Sequence, residues 1–168
     1  MTFLPLFAAL SLNIGVGLIG VLLACHNILR AAVQPFFGNL ADRFNRRTLV
    51  TIGAVSHIIF FLLIPGEYSY WQLLVLVAFG GVAAAVAMPA LTALYTGQGR
   101  TSGMGTAMSL DTLAMAIGMG IGPIVGGIVA DALNTASVFY FSAAVQLVGV
   151  ALFFVLTRDY SSSSTGIA

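Results

Sequence analysis

The sequence predicts an all-α, polytopic membrane protein, and three observations carry that reading. Of 168 residues, 60% are hydrophobic and 7% are charged, and the mean hydropathy is +1.06. Too little polar surface remains to coat a water-soluble globule. The apolar residues fall into runs of roughly the 20 residues that a spanning helix needs. The charges collect between those runs: Asp42, Arg43, Arg46 and Arg47 are four of the eleven charged side chains in the chain. A bilayer dictates this separation, because charge is expelled from hydrocarbon into short connections.

Taken in order, residues 1–10 are apolar but too short to cross, and read as the outer end of a helix whose beginning is missing. A turn at 11–14 leads into the first full span, 14–40, which ends at the charged stretch 38–47. The second span, 48–64, lies between that charge and Pro65-Gly66-Glu67. The third, 70–92, opens on an aromatic belt of Tyr68, Tyr70 and Trp71 at the membrane interface and gives way to a loop at 97–102. The fourth, 104–129, is rich in glycine and methionine and ends before Asp131-Ala132-Leu133-Asn134. The fifth, 136–156, precedes Arg158. One helical bundle is therefore expected over residues 1–160, with 161–168 a disordered, serine-rich tail.

The connections alternate in charge. Arg43, Arg46 and Arg47, then Arg100, then Arg158 fall on one side, whereas the other side carries Glu67 and Asp131 and no base. Arginine on one face only is the positive-inside signature, which sets a multi-pass orientation in the cell (inner) membrane with the C-terminus cytoplasmic.

Other function classes find little support. A net charge of +1 offers no basic stripe for nucleic acid. The single cysteine, Cys25, excludes an internal disulfide and a thiolate cluster, and reads as a small apolar residue. Residues before Leu4 carry no basic region, which argues against a cleaved signal peptide. His26 and His57 are far apart and no carboxylate cluster exists, so neither a metal nor another cofactor is expected. His57 reads as a satisfied core histidine rather than a proton relay. Ser56 and His57 are adjacent, and neighbouring helical residues face different ways, so they make no catalytic pair; no enzyme is expected.

Polar groups inside the spans narrow the site. Asn27, Arg30 and Gln34 recur at helical spacing on one face, with His26 beside them, and Pro35 frees the carbonyl of Ala31 as a further acceptor. An arginine at a helix centre costs roughly 2.5–3.5 kcal/mol on insertion scales, so Arg30 should face protein or water, and the stripe reads as cavity lining. Asp111 is the only acid inside a span. Three readings stay open for it: an ion pair with Arg30, a hydrated interface residue, or a proton-coupling site. Gly118, Gly122 and Gly126 recur every fourth residue and make a smooth groove for another helix, with Pro123 beside them allowing a bend. Gly80, Gly81 and the alanines 83–85 offer close packing in the third span. Met104, Met108, Met115 and Met119 read as adaptable gap-fillers.

Two of these stretches resemble a known family. Gly38, Asp42, Arg43, Arg46 and Arg47 follow the Gly-x-x-x-Asp-Arg-x-Gly-Arg-Arg cytoplasmic signature of the major facilitator superfamily, with Asn45 where the family prefers glycine. Gly118, Gly122, Pro123, Gly126 and Gly127 match Gly-x-x-x-Gly-Pro-x-x-Gly-Gly, a pattern associated with its antiporters. The resemblance implies a six-helix half of a major facilitator fold with its first helix truncated, better matched to the C-terminal half because no arginine precedes Gly80. It implies a cytoplasmic gate: Gly38 permits close approach of a helix from the other half, Asp42 faces the positive end of that helix, and Arg46 and Arg47 pair with acids or lipid phosphates. Alternatively, the arginines only set topology. The implied function is a secondary active transporter working by alternating access, with proton-coupled efflux of drug-like or metabolite substrates as its finer form. The implied partners are a small-molecule substrate, protons, the lipid bilayer, and the missing six-helix half or a second copy. The alternative is a non-transporting truncated half or a membrane assembly partner.

Overall fold

The computed structural model describes the backbone of residues 2–44, 46–66 and 69–157, and their side chains apart from 42, 43, 46, 47, 90, 93–102, 156 and 157. The described residues form α1 (Leu4–Ser11), α2 (Val16–Arg43), α3 (Arg46–Leu63), α4 (Tyr70–Ser102), α5 (Met104–Ala132) and α6 (Thr135–Thr157), with a 3₁₀ turn at Ile64–Gly66. The helices α2 to α6 are long and apolar enough to cross a membrane.

Local chemistry sets the ends of these helices. Proline in the first turn of α1 sits where its missing N–H costs nothing. Asn13 then takes the left-handed conformation, φ 51°, and the Ile14 N–H donates back to the Ala8 carbonyl at 3.1 Å, which closes α1. Asparagine tolerates this region better than most residues. Gly15, extended at φ −64° and ψ 149°, starts α2. Between α4 and α5 stands Gly103 alone, at φ 97°. At the start of α6, the Asn134 side-chain oxygen accepts from the Ser137 N–H at 2.8 Å and the Ser137 hydroxyl at 2.9 Å, an N-cap.

Several helices outrun their expected ends. The 33 residues of α4 reach about 50 Å, well beyond a hydrocarbon core of about 30 Å. The segment 97–102, expected as a loop, is helical, and so are the first six residues of the charged stretch 38–47, which end α2. Hydropathy records where the bilayer stops. A helix can continue into the headgroups, because its backbone bonds are internal. The expected tail 161–168 and Arg158 lie outside the described residues.

Packing centres on α4, which lies against α2, α3 and α5, while α6 covers α3. Small residues make the crossings. A Cβ built at Gly81 would stand 2.6 Å from the His26 carbonyl oxygen, one at Gly80 2.7 Å from the Phe60 ring, and one at Gly53 2.8 Å from Ala87. Without hydrophobic drive between helices in lipid, such backbone approach supplies the dispersion contact that holds a bundle together. The larger core cluster, including Phe7, Leu22, Phe60, Leu73, Val77 and Phe139, joins α1 to the starts of α2, α4 and α6. A smaller cluster of Ala41, Leu49 and Val50 closes the other end.

Candidate functional site

The charged signature straddles the α2–α3 elbow. Asp42 and Arg43 end α2, Arg46 and Arg47 open α3, and the Phe44 N–H caps the Leu40 carbonyl at 2.9 Å. The side chains of Asp42, Arg43, Arg46 and Arg47, and the whole of Asn45, lie outside the described residues. At Gly38 nothing lies within 4 Å of where a Cβ would stand, so that face of α2 is open to a neighbour. Apolar side chains, among them Phe37, Leu40, Phe44 and Leu49, enclose about 410 Å³ beneath the elbow.

Higher in α2, the polar residues divide rather than form one stripe. His26 is buried at 5% exposure and turns into the α2–α4 crossing. Its Nδ1 lies 3.2 Å from the Val77 carbonyl oxygen. A carbonyl only accepts, so Nδ1 carries the proton. Ring and backbone of His26 thus grip α4 one turn apart, at Val77 and at Gly81. Asn27 is exposed, and its amide donates back to the Leu23 carbonyl at 2.8 Å, within its own helix. Arg30 and Gln34 are half-buried. The structure therefore sets His26, turned into α4, apart from Asn27, Arg30 and Gln34.

Asp111 is half-buried on α5. Arg30 and Asp111 form no ion pair among the described residues, against that reading: α5 packs on α4 and α6, whereas α2 packs mainly on α4. The hydroxyls flanking Asp111 turn onto their own helix, Ser109 to the Thr106 carbonyl and Thr112 to the Met108 carbonyl, each at 2.9 Å.

The glycine motif is split in the same way. Gly126 is buried, its α-carbon covered by the Phe3 ring, whereas Gly118, Gly122 and Gly127 meet nothing within 4 Å and Pro123 is exposed. A groove of about 600 Å³ runs between α5, α6 and the start of α1, lined by Phe3, Gly118, Gly122, Phe141, Ser142 and Gln146 among others. Gly126 is the one described residue of α5 that is fully buried. Met104, Met108, Met115 and Met119 stay exposed along that helix.

One residue escaped the sequence reading. Gln146 on α6 reaches the His57 ring and the Ala54 carbonyl of α3, at 3.2 Å and 3.4 Å. The available signal was an amide inside the span 136–156, as informative in lipid as the amides of α2. His57 pairs its Nδ1 through this contact and lies beside Phe60 and Phe61, with ring centroids 5.5 Å and 4.7 Å away. Among the described residues no cluster of histidine, cysteine, aspartate or glutamate could hold a metal ion.

Comparison with known proteins agrees with this architecture. The family model described as Major Facilitator Superfamily matches residues 1–167. The chain is 34% identical over 164 residues to the multidrug resistance protein MdtG of Proteus mirabilis, covering 92% of this chain and 40% of that protein. It is 32% identical to the MdtG of Serratia proteamaculans, over 95% of this chain and 39% of the relative. The multidrug resistance protein 1 of Bacillus subtilis is 28% identical, over 84% and 36%. The chain thus spans about 40% of the length of the curated relatives it matches. No solved structure matches significantly.

Proposed function

The chain belongs to the major facilitator superfamily, and from that premise we propose that it supplies one six-helix half, the C-terminal one, of a secondary transporter that expels small drug-like solutes by alternating access. The observation that carries this reading is α5. A spanning helix of 29 residues that buries only Gly126 within its own bundle has its open flank available to a second bundle, with the substrate between the two. The exposed methionines and glycines of that flank suit a greasy substrate and a sliding contact. The names of the relatives, multidrug resistance proteins, support efflux.

The charged elbow acts as the cytoplasmic gate in this reading. Contacts of Asp42 and the arginines with the opposite half exist only when the cytoplasmic side is closed, so they shift the balance between inward-open and outward-open states. Asp111 carries the coupling proton, being the one acid of α5 that lies away from the helix ends and free of an ion pair with Arg30. Arginine placement sets the C-terminus in the cytoplasm and the protein in the inner membrane.

The test uses inside-out vesicles from cells expressing the complete reading frame that carries this chain. Energised vesicles should accumulate a fluorescent lipophilic cation, collapse of the proton gradient should stop it, and Asp111→Asn should abolish it. Accumulation in Asp111→Asn with unchanged pH dependence would remove the coupling role. Absence of accumulation across a broad panel of solutes would favour a non-transporting assembly partner.

A further inference from the structure

The polar contact between α6 and α3 determines more than adhesion. Gln146 places one end of its amide 3.4 Å from the Ala54 carbonyl oxygen and the other 3.2 Å from Nδ1 of His57. A carbonyl oxygen accepts and cannot donate, so the NH₂ end of the amide faces Ala54. The amide oxygen therefore faces the imidazole, and that oxygen also only accepts. Nδ1 of His57 must then be the protonated nitrogen, which leaves Nε2 bare in the neutral ring. Phe60, stacked at 14° to the imidazole, and Phe61 hold its plane.

We infer that Gln146 is a positioning residue that fixes His57 in its Nδ1–H tautomer and thereby joins α6 to α3 through a rigid polar strut, leaving Nε2 as a bare acceptor inside the span. The strut occupies a sensitive place. Gln146 lines the groove of about 600 Å³ beside α5 and also a smaller cavity of about 260 Å³ against Val50, Thr51 and Ala54. Gln146 thus borders both. In lipid no water competes for these groups, so the amide and the ring satisfy each other or go unpaired. The inference is independent of transport, because it concerns the packed bundle whatever the bundle moves.

Nitrogen-15 NMR of histidine-labelled protein in nanodiscs reads the tautomer directly. The signal lost in His57→Phe, which keeps the ring stack, identifies His57. Expected is a protonated Nδ1 and a bare Nε2, with loss of the Nδ1–H signal in Gln146→Leu while His26 stays unchanged. Spin labels at the exposed positions Ile59 and Val148 should give a narrow distance distribution that broadens in Gln146→Leu. A proton on Nε2 in the unsubstituted protein would mean a flipped amide and overturn the assignment. So would an Nδ1–H signal that survives in Gln146→Leu; an unbroadened distribution would overturn the strut. The unsubstituted spectrum decides the tautomer even where the leucine variant misfolds.

Discussion

Replacing Gly81 by alanine tests the α2–α4 crossing most directly. The added Cβ would lie 2.6 Å from the His26 carbonyl oxygen, about 0.8 Å short of ordinary contact, with backbone rather than a yielding side chain in its way. Relief requires α2 and α4 to part by about that distance. Overpacking of this kind costs about 1–3 kcal/mol. The same movement stretches the His26–Val77 hydrogen bond from 3.2 Å to beyond bonding range, which removes about 0.6–1.7 kcal/mol more. Alanine normally favours a helix over glycine by about 0.8–1 kcal/mol. That advantage cancels here, because α4 stays helical in the bilayer even when the helices separate. The net loss is about 1.6–4.7 kcal/mol, or roughly 15- to 2000-fold in the packing equilibrium. Reversible SDS titration in mixed micelles, read by Trp71, the single tryptophan, measures it. Gly120→Ala is the control, since nothing lies within 4 Å of its Cβ position. Unfolding free energies of the two variants within about 0.5 kcal/mol of each other, against the overpacking cost expected above, would refute the argument.

Gly53→Ala should destabilise the α3–α4 crossing by about 1–3 kcal/mol in the same titration. Adding Ala87→Gly should recover only part of it, because the Ala87 backbone nitrogen also lies 2.8 Å away. Asn134→Ala, which strips the N-cap from α6, should cost about 0.5–2 kcal/mol and speed amide exchange at Ser137. At the left-handed Asn13, glycine should be tolerated, whereas valine should lower thermal stability by about 1–2 kcal/mol. A fluorescent protein fused to the C-terminus should mature and fluoresce, as it does on the cytoplasmic side; a dark fusion would reverse the orientation.

The bundle was legible because lipid enforces a coarse rule: about 20 apolar residues per crossing, with charge outside. The small residues at Gly80, Gly81 and Ala83 pointed to close packing, and the structure puts Phe60 and the His26 backbone against the two glycines. What periodicity could not supply was the partner. A helical repeat shows that Asn27, Arg30 and Gln34 are neighbours, but not that His26, one position over, would turn into α4, or that α5 would pack on α4 and α6. Gln146 went unremarked for the same reason, since its meaning lies in a contact with His57, 89 positions away. The helices α2 and α4 run past the ends of their apolar spans because hydropathy measures the solvent and not the backbone.

Gly103 joins a helix of 33 residues to one of 29 with no slack between them. With so short a joint α5 cannot slide lengthwise past α4; it can only swing. At 1.5 Å per residue the 29 residues of α5 make a lever of about 43 Å, so a 10° turn at that one glycine would carry its far tip about 7.5 Å. A side chain at φ 97° would stiffen the pivot, and the reach of the whole flank is thus set by the smallest residue in the chain.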